Sequence, residues 1–325
     1  MSESRAKLAR RITWHESKQS YLTMRLLVDR GLVDDGYRAY AYFRWADDVV
    51  DKTLTTKEER VAFIQGQRSL IEGLYAGHRP ADLQAEETLV ADLIQHDRGY
   101  MSRLRSYIEN FLAIIEFDAE RKGRRITEAE LGSYVNRLAL AVTDAIQYFI
   151  KNGHPYPEEE SRLAGARAAH ITHMLRDLRK DLPAGYSNIP EEYLEKNGIR
   201  PEGIDSPAFL GWVKARVETA REEFRQGKVY IDGLDVLRTK IAAHWYCARF
   251  EHILDTIEKD GYHLRLGYAE KHEILAWLRM IWVAARVTAQ HAISKMGKAT
   301  RSPVTEPKEV PFLMKATDVG AHEES

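Results

Sequence analysis

The chain has 325 residues, 44% of them apolar and 30% charged, with a net charge of −1. That balance fits a soluble protein with a full core and removes the electrostatic case for nucleic acid as a partner. The single cysteine, Cys247, excludes an internal disulfide and fits a reducing, cytoplasmic compartment.

The N-terminal stretch to Arg11 lacks the apolar core of a secretory signal. No run of about 18 uncharged apolar residues occurs, so no membrane span is expected, and only peripheral membrane contact stays open. Apolar residues recur at three and four spacing through 21–28, 37–50, 61–75, 104–117, 131–150, 163–178, 208–231, 236–257 and 273–293. Thr56-Lys-Glu-Glu59 and Thr127-Glu-Ala-Glu130 read as capping boxes. Pro157, before three glutamates, and Ser206-Pro207 read as helix starts, while Gly77, Gly153 and Gly261 end helices. Cys247 falls inside a helical pattern and reads as a buried structural thiol. No period-two run, repeat or Gly/Ser linker is visible. One all-α domain of about ten helices over 1–296 is expected, followed by an extended or disordered tail over 297–325 with an apolar patch at Val310–Met314. Nothing in the sequence fixes an oligomeric state.

Two acidic motifs carry the chemistry. The first, Arg44-Trp-Ala-Asp47-Asp48-Val-Val-Asp51, sets Asp47 and Asp51 about one helical turn apart, with Arg44 a turn earlier. The second, Leu175-Arg176-Asp177-Leu-Arg-Lys-Asp181, does the same with Asp177 and Asp181, and His173 and His170 continue that stripe upstream. Carboxylates this close repel unless a cation joins them. Mg²⁺ takes one or two carboxylates and completes its shell with phosphate oxygens and water. Two such faces make sense with Mg²⁺ between them and a diphosphate on the Mg²⁺. Each motif alone also reads as a solvated helix end with ordinary ion pairs. For the first, the neighbours Tyr40, Phe43, Trp45, Val49 and Val50 argue against that. The His170/His173/Asp177 stripe admits zinc, but no third His or Cys ligand lies nearby. Tyr37, Tyr40, Tyr42, Phe43, Tyr134, Tyr148 and Phe149 read as core, and such rings also suit the wall of an isoprenoid tunnel. A P-loop, a dinucleotide fingerprint and a nucleophile elbow are all missing.

The paired motifs resemble the squalene/phytoene synthase family of all-α isoprenoid synthases. Tyr40-Ala-Tyr-Phe-Arg44-Trp-Ala-Asp47-Asp48-Val-Val-Asp51 is similar to its Y-x-x-x-R-x-x-D-D-x-x-D, and His173-Met-Leu-Arg176-Asp177-Leu-Arg-Lys180-Asp181 to its N-x-x-R-D-x-x-E-D. A loop, Gly185-Tyr-Ser-Asn-Ile-Pro190, follows the second motif as in the family. Ser17-Lys18, ahead of the first predicted helix, resembles the family's N-terminal serine motif. Asp118, Tyr134 and Phe250-Glu-His-Ile253-Leu-Asp255 resemble further shared positions, so the likeness spans about 14–290. Departures are His173 for Asn, His170 for Gln, Lys180 for Glu, and Leu138-Ala-Leu-Ala-Val-Thr143 where members carry V-A-G-T-V-G.

The resemblance implies Mg²⁺-dependent ionisation of an allylic isoprenoid diphosphate. It further implies head-to-head condensation of farnesyl or geranylgeranyl diphosphate to a C30 or C40 product. Asp47, Asp48 and Asp51 are expected to hold metal on one wall, Asp177 and Asp181 on the other. Ser17, Lys18, Arg44, Asp118, Tyr134, Arg176 and Phe250 are expected to meet substrate. Tyr40, Arg44, Arg176, His170 and His173 are expected to take part in the chemistry. The departures keep two other readings open: a terpene cyclase or other prenyltransferase using one isoprenoid diphosphate, and a binding or assembly protein with the fold alone.

Overall fold

The computed structural model describes residues 2–97, 103–199, 203–268 and 273–299, and its regular elements there are all helical. In order they are α1 (Ser2–Glu16), α2 (Lys18–Leu27), α3 (Val33–Asp48), α4 (Lys57–Tyr75), α5 (Glu87–His96) and α6 (Arg103–Arg121). Then follow α7 (Glu128–Phe149), α8 (Ala164–Asp181), α9 (Glu191–Lys196), α10 (Pro207–Gly233), α11 (Leu237–Lys259) and α12 (Glu273–Ala299). The expected all-α fold is the one the chain adopts.

The periodic stretches account for nine of these helices, and α1, α5 and α9 lie outside them. α1 is too charged to show a clean stripe; it buries only Ala9 and Thr13 fully and packs on α3. α5 is short and buries Leu89, Val90, Leu93 and Ile94, while α9 is a single short turn of helix. Both capping boxes form, at Thr56 with Glu59 and at Thr127 with Glu130, each contributing about 1 kcal/mol. Ser206 caps α10 ahead of Pro207. Gly77, Gly153 and Gly261 close their helices with positive φ. Pro157 departs from expectation: it stays extended, and the chain coils only from Glu160, through a 3₁₀ turn leading into α8. α12 runs on to Ala299, three residues into the segment read as tail; residues from 300 onward, with the Val310–Met314 patch, lie outside the described residues.

Two apolar cores stabilise the bundle. One gathers Tyr37, Tyr42, Phe43, Ile64, Leu93, Ile108 and Leu112 from α3 to α6. The other gathers Leu175, Leu178, Phe209, Phe224, Cys247 and Leu254 from α8, α10 and α11. α7 serves both, with Tyr148 and Phe149 in the first and Leu131, Tyr134 and Val135 in the second. Each core carries one acidic motif, at the ends of α3 and α8. Cys247 is buried as expected, and burial pushes its thiol up to about 12, which leaves it inert.

α8 approaches α10 through small residues. A methyl group on Gly227 would lie 2.3 Å from the Gly165 backbone nitrogen and 2.7 Å from its Cα, so the two backbones touch with no side chain between them. Gly227→Ala is therefore expected to destabilise the protein by about 3 kcal/mol, because the clash is with backbone that cannot swing away. Gly211→Ala, on the same helix with open space around it, should be neutral or gain up to about 1 kcal/mol. Thermal melts followed by circular dichroism check both, and equal midpoints for the two variants would refute the contact.

Candidate active site

The first wall begins where α3 ends. α-Helical turns run to Asp48, and Val49–Thr53 form a single π-helical turn, with the Leu54 N–H bonding the Val49 carbonyl at 3.0 Å. The acids thus straddle a change of helical register, a local geometry frequent at functional sites. Arg44 reaches Asp48 at 2.5 Å, Asp47 at 3.6 Å and Glu16 at 3.4 Å, and Lys52 meets Asp48 at 2.8 Å. Burial and then the charge of Asp51 push Asp47 up to about 7, against the pull of Arg44. Ser17 caps α2 through its hydroxyl and also hydrogen-bonds Tyr40, which places the α2 N-terminus beside Arg44. Burial raises the Tyr40 phenol. α1 precedes Ser17-Lys18, so this pair joins two helices rather than leading the first.

The second wall is the last two turns of α8. His173 Nε2 lies 2.9 Å from Asp177, and Arg176 donates to the same carboxylate from Nε at 3.0 Å and Nη2 at 2.7 Å. Burial alone would raise Asp177, but these bonds outweigh it and hold it below the usual carboxylate range. Asp181 behaves oppositely: burial and then the charge of Asp177 push it up to about 7. The neighbouring Arg179 pairs with Asp205 at 2.6 Å, and Lys180 is exposed.

Asp118, on α6, stands between the walls. Its charge acts on Asp47 and on Asp181, and that of Asp51 acts on it. Arg121 donates to it at 2.6 Å and Tyr134 at 2.8 Å. Arg121 also reaches Asn188 Oδ1 at 2.8 Å and lies 4.8 Å from the Tyr134 ring centre. The loop after α8 closes the ring of contacts: Gly185 accepts from the Gly123 N–H at 2.8 Å, and the Tyr186 hydroxyl donates to Asp51 at 2.8 Å. Sequence reasoning missed Arg121, Tyr186 and Asn188. The signals were present: Arg121 lies three residues after Asp118 on one helix, and the other two sit in the loop already singled out. Among the described residues, no three His, Cys, Asp or Glu side chains gather closely enough to enclose an ion by themselves.

Below the acids lies an aromatic layer. The His170 ring is 5.0 Å from Tyr134 and 6.3 Å from His173, and Phe250 lies 6.1 Å from His173 and 5.4 Å from Tyr246. His170 is buried with neither ring nitrogen hydrogen-bonded. Burial, then the charges of His173, Arg121 and Arg216, holds it neutral, well below the ordinary histidine value. Deeper still, Leu140 packs with Ala139, Leu163 and Ala166, and Val142 and Thr143 border a cavity of about 40 Å³ beside Tyr246 and Cys247. An ordinary small-molecule site has about 300–1,000 Å³. The side chains of this stretch thus leave little open space beside Tyr246 and Cys247. A cleft of about 860 Å³ opens elsewhere, over α4, α6 and α7; of the candidate residues only Tyr134 borders it, and its walls carry the Arg68–Glu116 ion pair.

Residues 14–280 match the family model described as squalene/phytoene synthase. The chain is 34% identical over 188 residues to a presqualene diphosphate synthase of Rhodopseudomonas palustris, covering 55% of this chain and 60% of that protein. It is 30% identical over 189 residues to one of Zymomonas mobilis, covering 57% and 60%. The aligned part thus spans less than two thirds of these relatives' length. In fold the chain resembles squalene synthase HpnC from Alicyclobacillus acidocaldarius, with a TM-score of 0.63 at 20% identity over 81% of this chain and 96% of that one. It also resembles a dehydrosqualene synthase, with a TM-score of 0.66 at 15% identity over 88% and 96%. Motifs, fold and a match across most of its length agree: the chain belongs to the squalene/phytoene synthase family.

Proposed function

We propose that this chain is a Mg²⁺-dependent prenyltransferase that joins two farnesyl diphosphates head to head, releasing one diphosphate and forming presqualene diphosphate. The carrying observation is that the loop after α8 reaches the first motif, Tyr186 donating to Asp51 at 2.8 Å, while the charge of Asp118 acts on Asp47 of one motif and Asp181 of the other. We read both motifs as facing one anionic chamber. The relatives named as presqualene diphosphate synthases support the C30 product class.

The donor set fits Mg²⁺. The donors are hard carboxylate oxygens, and on each wall one of them, Asp47 or Asp181, is pushed up to about 7 by burial and neighbouring acids. An open pair of walls suits an ion that keeps water and phosphate oxygens in its shell. Asp47, Asp48 and Asp51 would hold it from α3, Asp177 and Asp181 from α8. Bound there, Mg²⁺ would supply Lewis-acid stabilisation of the departing diphosphate. Arg44, Arg176 and Lys18, with the N-terminus of α2 at Ser17, add positive charge around the same group. The C1–O bond of one substrate breaks, and its electron pair leaves with the diphosphate. The allylic carbon then takes electrons from the C2=C3 bond of the second substrate. Loss of a C1 proton closes the cyclopropane ring. Tyr134, His173, Phe250 and Tyr246 exclude water and face the cation with aromatic rings.

His170 is our choice of proton acceptor. It is neutral, so its ring offers a lone pair, and it lies in the layer directly beneath Asp118 and Tyr134. A buried imidazole with both nitrogens unbonded is costly, and such orphans call for an explanation in function. Tyr40 sits at the Arg44 side of the chamber with a raised phenol, a position that suits contact with diphosphate better than proton removal.

Four outcomes are expected. Full-length protein with farnesyl diphosphate and Mg²⁺ should yield presqualene diphosphate by mass spectrometry; a cyclic C15 product from one substrate would overturn condensation. Asp47→Asn and Asp177→Asn should each lower kcat by roughly a hundredfold or more, and an unchanged kcat in both would overturn their role in holding the metal. In a thermal melt, Mg²⁺ at about 100 times its dissociation constant should add about 2.7 kcal/mol, an increment that EDTA removes and that a double Asp47→Asn/Asp181→Asn variant lacks. His170→Phe should lower kcat about a hundredfold with little change in KM, whereas an unchanged kcat would end its role as base.

A further inference from the structure

α12 has two faces of opposite character. Met280, Val283, Val287 and His291 are buried, the first three in the core with Ile241, Ala242 and Trp245 of α11, whose indole N–H donates to the Met280 carbonyl at 2.8 Å. Leu278, Ile281, Trp282, Ile293 and Met296 are each more than half exposed, and exposed Ala285, Ala289 and Ala292 lie between them. At 3.6 residues per turn these positions form one arc about 120° wide, opposite the buried face. Of the nine large apolar side chains exposed among the described residues, five lie on this arc, so it is a patch rather than scatter.

The edges of the arc are basic. Arg279 and Arg286 flank one side and Lys295 the other, and the Arg286 guanidinium stands 5.3 Å above the Trp282 ring. From Ile274 to Ala299 the helix carries no Asp or Glu. We propose that this face of α12 docks the protein on an anionic membrane surface, lying in the headgroup layer with its apolar arc inward. Long basic side chains at the borders lay their stems along apolar surface and lift their charges to the lipid phosphates. No helix among the described residues is long and apolar enough to cross a membrane. The charge pattern selects lipid over a second copy of the chain. Two α12 helices paired about a two-fold would bring basic edges together with no acid on either helix to match them, whereas anionic headgroups complement them. The docking is independent of the chemistry proposed above.

The test uses full-length protein and two sedimenting vesicle preparations, phosphatidylcholine alone and phosphatidylcholine mixed with phosphatidylglycerol. The protein should sediment with the mixed vesicles only, and added salt should release it. Ile281→Glu/Ile293→Glu should keep its thermal midpoint and lose sedimentation. Arg279→Gln/Lys295→Gln, which leaves the apolar arc intact, should weaken binding about tenfold or more. Failure to sediment, equal binding to both preparations, or retained binding by the glutamate variant would each overturn the proposal. So would a concentration-dependent dimer that the glutamate variant abolishes, because a second copy would then be the occupant.

Discussion

The fold holds half-buried carboxylates from three helices within electrostatic reach of a shared neighbour, and their like charges are the constraint that the rest of the site answers. Asp47, Asp118 and Asp181 come from three helices, α3, α6 and α8; the charge of Asp118 acts on both of the others, and that of Asp51 acts on Asp118. Isolated, such a group would shed charge by binding protons. What keeps it poised instead is a set of opposing cations held by the fold: Arg44 on α3, Arg121 on α6 and Arg176 on α8. The two hydrophobic cores fix the helices, the helices fix the acids, and the repulsion among the acids is what the proposed Mg²⁺ would relieve.

Arg121 shows how local and distant structure are joined. It binds Asp118 within its own helix, Asn188 in the loop after α8, and lies over the Tyr134 ring from α7. Removing one partner from a buried ion pair of this kind costs about 3–5 kcal/mol, more than most single contacts, because the other charge is left unpaired. One side chain thus secures three of the elements that frame the chamber.

The sequence was a good guide to helices with strong stripes and to residues that carry their own spacing. Asp47, Asp51, Asp177 and Asp181 were legible because repulsion between acids a turn apart demands a reason. Asp118 and Phe250 became visible only through family likeness, since nothing local distinguishes them, and the same likeness separated Tyr134 from the other core aromatics. Tyr186 and Asn188 escaped because their partners, Asp51 and Arg121, lie far along the chain, and long-range pairing leaves no periodic trace; Arg121 was overlooked despite its i,i+3 spacing from Asp118. α1 escaped for a related reason: it is held by contact with α3, not by a stripe of its own. The helical turn assumed through Asp51 was also only partly right, because the π turn at Val49–Thr53 re-aims that residue toward Tyr186.

The contact between Gly165 and Gly227 also bears on how the chamber can move. A side chain can rotate out of the way; two backbones in van der Waals contact cannot. α8 is therefore seated on α10 as against a hard stop, and the second acidic motif inherits that stiffness. The first motif ends in a π turn whose Asp51 is exposed and tethered by one tyrosine. The two jaws differ in compliance: one is an anvil, and the yielding part is the other, with the loop that carries Tyr186.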